Sequence, residues 1–255
     1  MDINALFTLK GRHALVTGGN SGIGLAMAHA LGHAGASVTL VARRASELES
    51  AAALLGEDNI RADWIACDLS SPEAVASCGA LCLERHQHAD VLINAAGLNL
   101  RKSFMDNSPA DWNLHLALHL GAPFFMTQAL APTMKKNNWG RIINLASLQS
   151  ARAFANGTPY GAAKGGVIQL TRAIAQEWSA HGITCNAIGP GFFKTALTAP
   201  VFDNPELAAK NAAQTCIGRN GELDDLAGIT VFFASDASAY ITGQTLMIDG
   251  GFTAK

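Results

Sequence analysis

Tyr160 and Lys164 stand in the run Tyr160-Gly161-Ala162-Ala163-Lys164, so on a helix they share one face, a turn apart. A phenol titrates near 10, and an ammonium beside it favours phenolate, so the pair is expected to lower that value. A tyrosine poised in this way gives a proton to a carbonyl oxygen, or takes one from an alcohol, while hydride moves at the carbon. Ser147 follows the apolar run Arg141–Ala146, where its hydroxyl can hydrogen-bond the same oxygen. Taken alone, Y-x-x-x-K equally describes a contact on a helix surface. Its meaning depends on the rest of the chain.

The first apolar run, His13–Thr17, leads into Gly18-Gly19-Asn20-Ser21-Gly22-Ile23-Gly24. Glycines 18, 22 and 24 follow G-x-x-x-G-x-G, one residue wider than the dinucleotide fingerprint. They serve the same physics: a tight turn, close backbone approach to a pyrophosphate, and helix N–H groups aimed at negative charge. The second run, Ser37–Val41, is followed by Arg43 and Arg44, with no acid at Val41 or Ala42. An acid there would pair with a ribose 2′-hydroxyl, whereas arginine accommodates a 2′-phosphate. NADP(H) is therefore the expected cofactor, with NAD(H) not excluded; two adjacent arginines are otherwise ordinary surface charges.

The elements that must position these residues alternate. Further short apolar runs occur at Trp64–Cys67, Val91–Asn94, Arg141–Ala146, Ile183–Ile188 and Thr245–Ile248. Helical patterns lie between them at Gly22–His33, Ser46–Leu55, Pro72–Arg85, Pro109–Lys136, Pro159–His181 and Leu223–Ala234, the fourth interrupted by Pro123 and Pro132. Continuously apolar strands alternating with helices predict a parallel sheet of about seven strands covered on both faces. The expectation is one doubly wound (Rossmann) α/β domain over residues 1–255, with a substrate lid at about 192–216.

Hydrophobic residues make up 49% of the 255 and charged ones 15%, with a net charge of -2. That balance supplies a large core and argues against nucleic acid or an anionic membrane as partner. Cys67, Cys78, Cys82, Cys185 and Cys216 are odd in number and lack paired zinc-type spacing, so reduced thiols and no metal are expected. The first residues show neither a basic n-region nor a long apolar stretch, which predicts a cytoplasmic protein.

Together with Asp68-Leu69, Asn94-Ala95-Ala96-Gly97 and Pro190-Gly191, these motifs resemble the short-chain dehydrogenase/reductase family over essentially the whole chain. The resemblance implies that Tyr160 is the acid/base, that Lys164 also holds the nicotinamide ribose, and that Ser147 orients substrate. It implies Asp68 and Leu69 beside adenine, Asn94, Ala95 and Gly97 supporting the cofactor, and residues 188–195, including Pro190, Gly191 and Thr195, flanking nicotinamide. Enoyl reductases of the family usually place six residues between Tyr and Lys, so carbonyl/alcohol chemistry is favoured.

One position departs from the family pattern. Where an Asn is usual, in the stretch LALHLGAPFF, this chain has His119. In the family that residue's backbone carbonyl holds a relay water. Pro123 lacks an N–H and cannot bond the carbonyl of residue 119, so a kink that frees this carbonyl is expected. A merely packed His119 with an impaired relay is the alternative. An imidazole taking part itself would add an inflection near pH 6.5.

The stretch after Gly97 (LNLRKSF) and the segment Phe192–Cys216 resemble gluconate 5-dehydrogenases and related sugar-acid dehydrogenases. Asn99, Arg101, Gln149 and Phe192 are accordingly the expected substrate residues, Arg101 being otherwise a solvated or intersubunit charge. A keto-sugar acid or polyol is the first expectation, a bulky cyclic or aryl ketone the alternative, and a catalytically weak cofactor-binding regulatory protein the third. The resemblance also implies a homotetramer or homodimer.

Overall fold

The computed structural model describes residues 2–255. Seven strands pair in parallel in the order β3-β2-β1-β4-β5-β6-β7: β1 His13–Thr17, β2 Ser37–Ala42, β3 Ala62–Ala66, β4 Val91–Asn94, β5 Gly140–Leu145, β6 Ile183–Pro190 and β7 Thr245–Ile248. The order reverses between β1 and β4, which opens a crevice at the carboxyl ends of the strands. Register lines those ends up, with Thr17 opposite Asn94 and Asn94 opposite Asn144.

Side-chain alternation divides the core. Along β1, Ala14 and Val16 pack with Met27, Leu31, Leu48 and Phe233. Leu15 points the other way, among Val75, Cys82, Met126 and Leu130. This period of two places a helical layer on each face. One layer includes α2 (Gly22–His33), α3 (Ala45–Glu57) and α10 (Ala227–Ala234); the other includes α4 (Pro72–His86) and α6 (Ala122–Lys136). A short α1 (Ile3–Phe7), capped by Asp2, precedes the sheet and has no periodic signal in the sequence.

The long central stretch departs from the expected pattern. α5 (Pro109–Leu116) begins with a Ser108–Asp111 capping box and ends in a π turn over Ala117–Gly121, after which α6 continues. Pro123 follows the π turn at the start of α6 and can give no N–H back to the turn before it. Pro132, expected to interrupt the helix, lies inside it without ending it. α7 (Thr158–Trp178) buries Tyr160, Ala163, Lys164, Val167, Thr171 and Ile174 along one stripe, and that stripe fixes the rotation that turns Tyr160 and Lys164 inward. The segment 192–216 folds into α8 (Ala199–Phe202) and α9 (Pro205–Gln214) over the carboxyl ends of the strands. Cys67, Cys78, Cys82 and Cys185 are buried free thiols and Cys216 is an exposed one. Among the described residues no helix is long and apolar enough to cross a membrane.

Candidate active site

A cleft of about 850 Å³ runs along the carboxyl ends of the strands. At one end lies the turn after β1. Gly18 has φ +68°, and a Cβ there would come within 2.8 Å of the Ala96 backbone; a Cβ on Gly24 would come within 2.2 Å of the Gly18 carbonyl oxygen. Only glycine lets the turn close against the strand end and the helix start. The N-cap Ser21 makes no side-chain cap bond, and the first turn of α2 has no acid, so its N–H groups and positive dipole face the cleft available to an anion. Thr17 supports the opposite wall, its Oγ1 accepting from the backbone N–H groups of Ala95 and Ala96 at 3.1 and 3.3 Å.

The two arginines after β2 differ. Arg44 forms a two-pronged ion pair with Glu47, whose second partner is the Asn20 amide at 2.7 Å. Arg43 stays exposed on the rim of the cleft and its charge helps hold the Asp68 carboxyl below its ordinary range, after the larger effect of hydrogen bonds from Ser70. Among the described residues Arg43 thus has no ion-pair partner of its own and leaves a cation on the rim. The glycine cradle, the uncapped helix and the unpaired Arg43 fit a phosphorylated dinucleotide.

Ser147, Tyr160 and Lys164 meet deeper in the cleft. The Lys164 ammonium donates to the Leu145 carbonyl at the end of β5, and Nζ lies 5.7 Å from the centre of the Tyr160 ring. Ser150 ties α7 to the turn after β5 by donating from Oγ to the Lys164 carbonyl at 2.7 Å. Ser147 Oγ accepts from the Gln149 N–H at 3.1 Å, which fixes its hydroxyl beside the tyrosine.

Burial lowers the Lys164 pKa from 10.5 to about 7. It also raises that of Tyr160 above 10, against a hydrogen bond from Ser147 and the positive charge of Arg101. The lowered phenol expected from Y-x-x-x-K is therefore corrected. Desolvation outweighs the Ser147 hydrogen bond and the Arg101 charge, and the Lys164 amine is only partly charged at neutral pH.

The π turn places His119 against this centre. Its ring stands edge-on to Tyr160, centroids 5.1 Å apart, and Nε2 lies 2.8 Å from the Leu98 carbonyl oxygen. The 2.8 Å contact prevails over the Leu98 N–H at 3.5 Å from the same atom, which assigns the hydrogen to Nε2, and buried Nδ1 has no partner among the described residues. Burial, reinforced by the Lys164 charge, pushes the His119 pKa well below 6.5, so the imidazole is neutral. An inflection near 6.5 from this ring, one of the sequence expectations, does not fit its burial. The expected irregularity does occur, as a π turn before Pro123 rather than a break at it.

Of the expected site residues, all but Asn94 line the cleft. Asn94 lies beneath it, its Nδ2 donating to Asn144 Oδ1 at 2.8 Å, so it supports the floor rather than the opening. Arg101, at φ +53°, donates to the Leu197 carbonyl at 3.2 Å and bridges the loop after β4 to the segment before α8. Asn99, Gln149 and Phe192 lie on the same wall system, with Phe192 edge-on to Phe154 at 6.2 Å. Sequence reasoning missed Glu47 and Leu197. Glu47 was within reach, since its i,i+3 spacing from Arg44 is a pairing signal. Leu197 acts through its carbonyl, which leaves no residue-type signature.

A family model described as enoyl-(acyl carrier protein) reductase matches residues 18–253. Gluconate 5-dehydrogenase of Gluconobacter oxydans is 37% identical over 249 residues, covering 97% of each chain. The chain belongs to the short-chain dehydrogenase/reductase family. It is an oxidoreductase. The 5-keto-D-gluconate 5-reductase of Escherichia coli K12 is 32% identical, covering 98% of each chain. A crystal structure of a gluconate 5-dehydrogenase from Burkholderia cenocepacia J2315 in complex with NADP and tartrate is 34% identical, has a TM-score of 0.94 and covers 99% of each chain.

Proposed function

We propose that this short-chain dehydrogenase/reductase transfers hydride between NADP(H) and a ketone or secondary alcohol on a sugar acid or polyol. The observation that carries the substrate class is Arg101, a cation at the cleft mouth whose charge reaches Tyr160 and which is held there by the Leu197 carbonyl. A guanidinium in that position can pair with a substrate carboxylate. Asn99 and Gln149 on the same cleft add hydrogen-bonding groups suited to hydroxyls. The relatives named for gluconate and 5-ketogluconate, and the neighbour carrying NADP with tartrate, support the same class.

Gly18, Gly22, Gly24 and the start of α2 would hold the pyrophosphate, Arg43 the 2′-phosphate, Asp68 and Leu69 the adenine side, and Ala95, Gly97, Pro190, Gly191 and Thr195 the nicotinamide half. Bound there, nicotinamide supplies or accepts the hydride. Tyr160 passes its phenolic proton to the substrate oxygen in reduction and recovers it in oxidation. Ser147 donates a hydrogen bond to that oxygen. Lys164, with its pKa near 7, restores the tyrosine proton. The His119 carbonyl, denied an N–H by Pro123, continues the path to solvent, while the neutral imidazole braces Leu98 beside the substrate.

The test measures kcat/KM for 5-ketogluconate and related keto-sugars with NADPH and NADH, in wild type, Arg43→Ala and Arg101→Ala. NADPH preference that Arg43→Ala erodes, and a KM for acidic keto-sugars that Arg101→Ala raises at least tenfold, are expected. A clear NADH preference overturns the cofactor reading, and no turnover of any keto-sugar overturns the substrate reading. The edge-on pair Phe154 and Phe192 favours bulky cyclic or aryl ketones as a second substrate class, which the same screen includes. Assembly into a homo-oligomer is supported by Trp112, Phe124 and Leu246, large apolar side chains exposed on α5, α6 and the edge strand β7.

A further inference from the structure

We propose that His29, His33 and Asp58 form a binding site for a zinc-type divalent transition-metal ion, at the end of α2 opposite the glycine turn. His29 and His33 are one turn apart on α2, their rings edge-on with centroids 4.4 Å apart. Asp58 is the C-cap of α3, and its Oδ2 lies 2.5 Å from His29 Nε2. One donor atom from each residue lies within 4.8 Å of the other two. A His29–Asp58 hydrogen bond uses one imidazole; His33 brings a second ring nitrogen to the same carboxylate. Where a proton now joins His29 to Asp58, a metal ion can join all three.

The donors sit on a fixed base. A Cβ on Gly32 would fall 2.3 Å from Ile60 Cγ2, so α2 rests directly on the turn that follows α3. That turn is closed by Asn59 N–H to the Gly56 carbonyl at 3.0 Å and Ile60 N–H to the Leu55 carbonyl at 3.1 Å. Zinc takes nitrogen and carboxylate ligands at about 2.0–2.2 Å in a tetrahedron, which sets ligand atoms roughly 3.3 Å apart. The His29 and Asp58 side chains are 37% and 46% exposed, which gives them the rotamer freedom to close from 4.8 Å to that spacing. Two imidazoles with one carboxylate suit zinc or its neighbours rather than magnesium or calcium, which prefer all-oxygen sets. His33 lies in the last turn of α2, where the exposed carbonyls favour positive charge. The fourth position faces solvent.

An occupied site would tie the end of α2 to the end of α3, the two helices whose opposite ends carry the glycine turn and the Arg44–Glu47 pair. Such an ion binds the folded chain and raises its melting temperature without entering the hydride-transfer site. The experiment titrates tag-free, chelator-stripped protein with Zn²⁺ in a calorimeter and records melting curves with and without the ion. One ion per chain and a higher Tm are expected. His33→Ala and Asp58→Asn should each weaken binding at least tenfold and abolish the Tm shift, with kcat unchanged in His33→Ala. Cys216→Ser, which removes the exposed thiol, should bind as wild type does. Absence of stoichiometric binding, equal binding in the His33 and Asp58 variants, or loss only in Cys216→Ser would each overturn the proposal.

Discussion

The two ends of the sheet both bury charged and polar groups, and they treat them oppositely. At the amino ends, Arg141 is 3% exposed. It donates to the carbonyls of Ser235 and Gly140 at 3.0 and 2.9 Å and to Asp236 at 2.8 Å, with its guanidinium over the Trp139 ring. Nearby, Asp90 accepts from the His13 N–H at 2.9 Å and pairs with Arg12 and His88. At the carboxyl ends, the Lys164 ammonium has the Leu145 carbonyl as its hydrogen-bond partner, and His119 Nδ1 has none among the described residues. One end uses its charged groups to hold the chain. The other keeps capacity in reserve around a cleft, and that reserve is available for chemistry.

Substitutions that separate activity from stability test this contrast most directly. Tyr160→Phe removes the acid/base and is expected to lower kcat by about 10²–10⁴ while shifting Tm by no more than about 2 °C. Arg141→Ala should do the reverse. It strands several buried carbonyls at about 3 kcal/mol, seen as a lower denaturant midpoint, with kcat of the surviving folded enzyme unchanged. A large loss of stability in Tyr160→Phe, or a large loss of kcat in Arg141→Ala, would erase the distinction between the ends.

The same contrast has a pH signature. Burial, followed by the charge of His86, lowers the His13 pKa from 6.5 to about 4. Between those values the unfolded chain binds a proton that the folded chain refuses, so stability present above 6.5 is lost as pH falls toward 4. Lys164 has the same sign in a different window. Its value falls from 10.5 to about 7, so stability declines as pH falls from 10.5 to 7. Denaturant midpoints across pH should show both slopes. His13→Gln should flatten only the acid window and Lys164→Met only the alkaline one. Either variant flattening both, or neither, contradicts the separate burial of the two groups.

Legibility in the sequence followed the range of the interactions. The strands β1, β4 and β7 and the turn Gly18–Gly24 are local patterns, and their expected positions coincide with those in the structure. Y-x-x-x-K told which residues would meet, because helical spacing is local as well. It did not tell how Lys164 would be charged, since that depends on α7 packing over β5 and β6. The His29-x-x-x-His33 spacing was equally visible, but its third partner comes from another helix. The π turn was half legible: Pro123 announced a missing hydrogen bond, while the extra residue in the turn has no composition of its own.

That turn carries the smallest expected effect, and the one that discriminates most finely. If the His119 imidazole exchanged protons during turnover, replacing it with asparagine would delete an inflection from the pH–rate profile. Its burial and the neighbouring Lys164 charge hold it neutral well below 6.5, and its one ring hydrogen is occupied by the Leu98 carbonyl. The side chain can therefore position Leu98 and contact Tyr160, but it adds no titration at the ordinary imidazole value of 6.5. Profiles of log(kcat/KM) for wild type and His119→Asn should keep the same shape across that range, with an inflection near 7 from Lys164 in both. An inflection found in wild type and missing in His119→Asn would move the imidazole from the scaffold into the proton path. Unchanged shape with a raised KM would instead locate its contribution in the Leu98 wall.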